Sequence, residues 1–186
     1  DPETLTYYRA LIGSLIYLVT WTRPDIAHAV NYLARYMSKP SKQAIKAAHR
    51  VFAYLKHTAG YNMKYRSGRE QDRDPDNLLY AYSDSSDADC RETRRSTGGH
   101  ILYFNGTPVS WSSSLQKIVS LSTCESEYIQ AALTAKEILY LRELLYAMRM
   151  PQQRTMLYMD NRAAISLTEN PVSRGSSKHI ARRWHF

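Results

Sequence analysis

The sequence predicts an α/β domain preceded by a helical segment, and three observations carry that prediction. Apolar residues recur at helical spacing through the first 65 positions. From residue 78 onward the pattern changes to short, nearly continuous apolar runs that suit strands. After that change the elements come in the order strand, strand, strand, helix, strand, helix. That is a layered sheet opening with an antiparallel meander.

Residues 5–20 read as a helix interrupted by Gly13. In "TRPDIAHAVNYLARYMSKP", Thr22 is a candidate cap and Pro24 falls in the first turn. Ile26, Val30, Leu33 and Met37 then follow at helical spacing until Lys39-Pro40 ends the run. In "SKQAIKAAHRVFAYLKHTAG", Ala44, Ala48, Val51, Phe52 and Leu55 share one side, and Gly60 offers a stop. Residues 66–77 (RSGREQDRDPDN) are polar, carry Gly68 and Pro75, and read as a linker between segments 1–65 and 78–186.

Beyond the linker, "LLYAYSD" suits a central strand. "GGHILYFNGTPVSW" reads as two strands around Asn105-Gly106, a dipeptide fit for a tight hairpin, and "QKIVSLS" continues the second or adds another. Residues 123–149 form a long helix, 155–160 ("TMLYMD") an apolar strand, and 162–169 a short helix before Asn170-Pro171.

With 186 residues, 44% of them hydrophobic and 15 Tyr, the chain is expected to be globular. No run of 18 apolar residues is present; residues 10–19 are too short to span a bilayer and lack a cleavable context, so neither membrane nor secretion is expected. Cys90 and Cys124 fit no metal or redox spacing, which points to a reducing, intracellular compartment, cytoplasmic or nuclear.

The net charge of +8 is unevenly placed. Residues 1–65 hold nine Lys/Arg against three Asp/Glu, whereas residues 66–186 hold 16 against 14. A basic segment joined to a nearly balanced one suggests a polyanion as partner. Within it, Lys42, Lys46, His49, Arg50 and His57 fall at steps of three or four and share a helix face, as a phosphate-facing stripe requires.

The two apolar strands at 78–84 and 155–160 both end in Asp, at Asp84 and Asp160. If they lie parallel and adjacent, their carboxylates meet at the sheet edge where open α/β sheets place ligands. Asp160 has a rival task, capping the next helix. In "STCESEY", Ser122 and Glu125 have the form of a capping box, which occupies Glu125. Glu127 lies two positions on, about 200° around the helix, and faces elsewhere. Asp84, Glu127 and Asp160 are thus an all-oxygen set with no Cys or His. Hard oxygen ligands select Mg²⁺ or Mn²⁺, and two such ions about 4 Å apart can support phosphodiester hydrolysis.

At this point the residues resemble a family. "YRALIGSLIYLVTWTRPDIAHAVNYLARYMSKP", "YSD", "TRRSTGGH", "SWSSSLQKIVSLSTCESEY", "LYMDNRAAI" and "KHIARRWHF" are similar, in the same order, to the end of copia-like retrotransposon polyproteins. The resemblance implies that 1–65 corresponds to the thumb or connection tail of the reverse transcriptase. It implies a ribonuclease H-like domain at 78–186, cutting the RNA strand of RNA–DNA hybrids with the rest of the polyprotein as partner. In the family's motifs the YSD aspartate, the second glutamate of T-x-E-x-E-Y and the aspartate of LY-x-DN are metal ligands, here Asp84, Glu127 and Asp160.

Two departures stand out. Asp87 occupies a position where the family pattern has Trp, and Asp87 and Asp89 read as loop surface. The family pattern also continues past KHI…HF into a fifth strand and a helix bearing a fourth acidic ligand. Nothing after Arg183 is acidic, so that strand, helix and ligand are expected to be absent and cleavage to be weak, better with Mn²⁺ than with Mg²⁺. The alternative is a catalytically impaired or host-retained nucleic-acid-binding remnant; an integrase-type enzyme fits the Asp-Glu-Asp order less well. Ser96, Thr97, Gly98 and Gly99 open a strand and either contact a nucleic-acid backbone or make a turn. Asn161 either reads ribose hydroxyls or caps a helix, and Lys178, His179, Arg182 and Arg183 form a basic cluster suited to phosphates.

Overall fold

The computed structural model describes residues 2–65, 78–90 and 92–169, so the linker reading of 66–77 and everything from 170 onward lie outside the described residues. The chain divides into two compact units, the first ending at Lys64 and the second beginning at Tyr65.

The first unit is helical throughout its described elements. Helix α1 spans Pro2–Trp21, a 3-10 turn covers Pro24–Ile26, α2 runs Ala27–Ala34 and α3 runs Lys42–His57. Tyr8, Ile12 and Leu15 of α1 bury against Ile26, Val30 and Leu33, and Ala44 and Ala48 of α3 complete the cluster. The buried Tyr8 hydroxyl donates to Leu33 O at 2.8 Å, tying α1 to the end of α2. Ser41 caps α3 by accepting from Ala44 N.

Three local expectations are corrected here. Thr22 caps nothing: Pro24 begins a 3-10 turn whose flanking residue is Arg23, with no side-chain cap bond. The second helix ends at Ala34, five residues short of Lys39-Pro40, because tightened turns close 34–39. The third ends at His57 on Thr58, which bonds back to Tyr54 O through both its N–H and its hydroxyl, ahead of Gly60.

Arg23 is only 8% exposed, and its partners explain why a charge is tolerated there. It donates to both Asp25 oxygens at 2.9 and 2.7 Å, and to Thr58 O and Oγ1 at 3.3 and 2.6 Å. Its guanidinium also lies over the rings of Tyr54 and Tyr61. Tyr54 donates to Asp25 in turn, and the Arg23 hydrogen bond holds the Asp25 carboxyl below its ordinary range. One guanidinium therefore joins the α1–α2 corner to the end of α3. Arg23→Ala should lower the unit's stability by about 2–3 kcal/mol, read from denaturant midpoints at constant slope. A shift too small to measure would show the tie to be ornamental.

The second unit is α/β with a mixed four-stranded sheet. Its strands are β1 (Leu79–Ser86), β2 (Thr97–Phe104), β3 (Thr107–Leu115) and β4 (Met156–Tyr158), in spatial order β3-β2-β1-β4. Strands β1, β2 and β3 pair antiparallel, and β4 pairs parallel to β1 with Tyr82 opposite Tyr158. Helix α4 spans Thr123–Ala147 and α5 spans Arg162–Glu169. Asn105 and Gly106 turn the β2–β3 hairpin with φ of 48° and 76°, as a primed two-residue turn requires. The segment 116–121 is not a strand. Gln116 and Ser120 are buried there; Gln116 donates its N–H to Ser96 O and its Nε2 to Ser126 O, and Ser120 bonds Ser96.

Period-two alternation sorts β1. Leu79 and Ala81 pack with Leu102 of β2 and with Ile138 and Leu145 of α4. On the opposite face Tyr80 stacks on Tyr103 at 5.1 Å and Tyr82 on Tyr158 at 5.0 Å. Gln152 Oε1 accepts from Leu78 N and Leu79 N, pinning the chain before β4 to the start of β1. A Cβ at Gly98 would run into the buried Gln130 amide, so α4 sits close over β2. No helix among the described residues is long and apolar enough to cross a membrane.

Candidate metal centre

The parallel register decides where the strand-ending aspartates go. Asp84 follows Tyr82 by two residues and Asp160 follows Tyr158 by two, and Tyr82 and Tyr158 are paired. The same parity at the same height brings both to one end of the sheet. Both remain exposed.

Glu127 approaches from α4. The Ser122 hydroxyl accepts from Glu125 N, and Glu125 Oε2 accepts from Leu121 N at 2.7 Å, one residue beyond the usual box partner. With Glu125 so engaged, the helix turn carries Glu127 to the sheet end, where it is 5% exposed. Its Oε1 accepts from Ser85 N at 3.0 Å. Its Oε2 is buried and accepts from no donor among the described residues, facing the Asp84 carboxylate instead. One ligand atom from each of Asp84, Glu127 and Asp160 lies within 4.8 Å of the others.

Electrostatics follow from that packing. Burial pushes the Glu127 carboxyl up from 4.5 to about 7, and the nearby Asp84 and Asp160 charges push the same way. The Ser85 N–H opposes them. Three carboxylates this close repel one another, and one keeps a buried oxygen without a donor. A divalent cation cancels both costs, and the all-oxygen set suits Mg²⁺ or Mn²⁺. The residues fit such an ion.

Asn161 has a structural task. Its Oδ1 accepts from Ala163 N and Ala164 N at 3.0 Å each, so Asn161 caps α5 and Asp160 is released from that duty. Asp89 is not mere loop surface: both its oxygens accept from Thr97 Oγ1, at 2.8 and 2.6 Å. Ser96 and Thr97 are likewise buried in internal bonds, and Asp87 is exposed. Cys90 and Cys124 form no disulfide among the described residues.

Lys42, Lys46 and Arg50 are exposed along α3. His49 Nε2 lies 2.9 Å from the Tyr7 hydroxyl, and His57 Nδ1 donates to Ala53 O, which commits part of each imidazole. Lys56 extends the stripe, being 14 positions from Lys42 and so close to four full turns. The three-and-four steps of the sequence pattern passed over it. Lys178, His179, Arg182 and Arg183 lie outside the described residues.

Nearly the whole chain is similar to three retroelement proteins. It is 36% identical over 179 residues to the retrovirus-related Pol polyprotein from transposon TNT 1-94 of Nicotiana tabacum, which covers 96% of the chain and 13% of that relative. It is 37% identical over 187 residues to the corresponding polyproteins from transposons RE1 and RE2 of Arabidopsis thaliana, covering 100% of the chain and 12% of each. The chain thus spans only about an eighth of the length of these relatives. No family model matches it, and no solved structure matches it.

Proposed function

Because nearly the whole chain is 36–37% identical to retrotransposon Pol polyproteins, we propose that it is a piece of a copia-like polyprotein of that kind and carries a metal-dependent endoribonuclease acting on the RNA strand of RNA–DNA hybrids. In this reading residues 1–65 are a reverse-transcriptase tail and residues 78–186 a ribonuclease H-like domain, with which the mixed sheet is compatible. The setting is intracellular, and the remainder of the polyprotein is the covalent partner.

The observation that carries the proposal is the buried, donorless Oε2 of Glu127 within reach of two exposed carboxylates. Asp84, Glu127 and Asp160 would hold the cations. Bound ions supply charge neutralisation at the scissile phosphate and lower the pKa of an attacking water. The chain's own part is positional. Ser85 N–H fixes one Glu127 oxygen, the register sets Asp84 beside Asp160, and the exposure of both aspartates leaves a route for a phosphate. Asn161 gives its carbonyl to α5, so its amide N–H₂ remains the donor for a ribose 2′-hydroxyl.

The direct test is cleavage of an end-labelled hybrid with Mg²⁺ or Mn²⁺, beside a DNA duplex and single-stranded RNA. Cutting confined to the RNA of the hybrid and stopped by EDTA supports the reading; metal-independent cutting overturns it. The α3 stripe supplies a second expectation. Replacing Lys42, Lys46 and Arg50 by Ala should weaken binding to any sequence and reduce the slope of log K against log salt by about 0.9 per lost phosphate contact. An unchanged slope would mark the stripe as ordinary solvated surface.

A further inference from the structure

The end of the sheet that holds the acidic trio also gathers cations on both sides of it. Along the strand order β3-β2-β1-β4, Lys117 follows the end of β3, Arg94 and Arg95 precede the start of β2, and Arg162 follows Asp160 beyond β4. The pairing of Thr97 with both Ser86 and Leu115 fixes these positions at the same edge as Asp84. Arg94, Lys117 and Arg162 are exposed and Arg95 is half-buried. None of the four makes an ion pair or side-chain hydrogen bond among the described residues, although acidic groups stand close by in sequence.

The backbone under these cations is built rather than loose. Ala88 N donates to Ser96 Oγ, Ser96 bonds Ser120, and Thr97 donates to Asp89. Arg94 N donates to Cys90 O at 2.7 Å and Cys90 N to Arg95 O at 3.2 Å, closing a turn. In that turn Arg94 has a φ of 54°, a left-handed conformation unfavourable for a non-glycine residue and held only where surrounding bonds over-determine it. Arg162 stands in the first turn of α5, where the helix dipole disfavours a cation. Local stability explains neither placement.

We infer that Arg94, Arg95, Lys117 and Arg162 form a basic rim that grips backbone phosphates on either side of the one held at the acidic centre. Four strands about 4.8 Å apart span about 14 Å, the rise of about four base pairs, so one duplex segment can touch both ends of the rim. The ligand class is a nucleic-acid duplex read through its phosphates, with no base recognition. The rim also answers a problem of the site itself: three carboxylates alone repel a polyanion, and flanking cations offset that repulsion. The inference deepens the hydrolase reading and rests on it for the position of the scissile phosphate.

The test uses the full chain and a short labelled RNA–DNA hybrid, with binding measured in EDTA across a salt series and cleavage measured separately with Mn²⁺. The combined variant Arg94→Gly, Lys117→Ala, Arg162→Ala should bind about 10- to 100-fold more weakly near physiological salt, with the salt slope reduced by about three. The α3 stripe is untouched in it. Arg94→Gly alone should weaken binding without lowering the melting temperature, since glycine accepts the positive φ. Affinity and slope both unchanged in the combined variant, or affinity lost at an unchanged slope, would overturn the rim. If the wild type cuts nothing with any metal but the variant still loses affinity and slope, the hydrolase reading fails and the rim stands.

Discussion

Asp84→Asn should abolish hybrid cleavage, reducing it by at least about 100-fold, because residues merely supporting a metal ligand already cost 10- to 100-fold when lost. Asn keeps the size of the side chain and removes its charge. The Asp84 side chain is exposed, and the register of β1 with β2 and β4 rests on backbone pairing that Asn keeps. The variant should therefore fold and melt like the wild type, and hybrid affinity in EDTA should rise slightly as one repelling charge goes. Single-turnover rates in Mn²⁺ read the loss. Cleavage retained within a factor of a few would mean that the trio is not the reacting centre.

The second large effect is on stability and follows from the sign of the Glu127 shift. Its carboxyl is pushed up from 4.5 to about 7 in the folded state. Below pH about 4.5 both folded and unfolded chains are protonated, and the buried group costs nothing extra. Between there and about pH 7 the unfolded chain ionises while the folded one keeps its proton. The folded state then binds more protons, so stability falls as pH rises. Above that window the cost is at most about 3 kcal/mol. Mn²⁺ or Mg²⁺ binds the ionised form, so either ion should raise the melting temperature more at pH 8 than at pH 5.5. Glu127→Gln should invert the usual result of changing a buried residue: without metal it should be more stable than wild type at pH 8, and metal should no longer help. A wild-type melting temperature that is flat across this window would remove the basis for the metal site.

The trio was legible in the sequence because each member obeys a local rule. Two apolar strands end in Asp, and two positions of helix rotation separate Glu127 from the capping Glu125. The hairpin at Asn105-Gly106 and the final helix 162–169 were legible for the same reason, since turn chemistry and capping are short-range. What failed was set by partners distant in the chain. Asp89 reads as loop until Thr97 arrives eight residues later to bond both its oxygens. The apolar "KIVSL" reads as strand, yet the polar residues around it, Gln116 and Ser120, are claimed by Ser96 and Ser126. Thr22 lost its capping role to a 3-10 turn stabilised around Arg23, whose partner Thr58 lies 35 positions away. No stretch of two helical turns contains both members of such a pair.

Asn161 carries the cap of α5 while its neighbour Asp160 carries none, and Glu125 stands in the same relation to Glu127 on α4. In each case the residue that builds the backbone and the residue offered to the cation are different and nearly adjacent. Architecture and chemistry can therefore be lost independently. If the trio is the reacting centre, a copy of this gene that drifts there would forfeit turnover while keeping its shape, and a change at Glu127, which removes a buried carboxylate, would leave the protein sturdier than its parent. Proteolysis and aggregation, which remove most damaged proteins, would not recognise such a copy. Selection would have to act on the reaction itself, so inactive descendants of the fold should accumulate as stable, expressible proteins open to other uses.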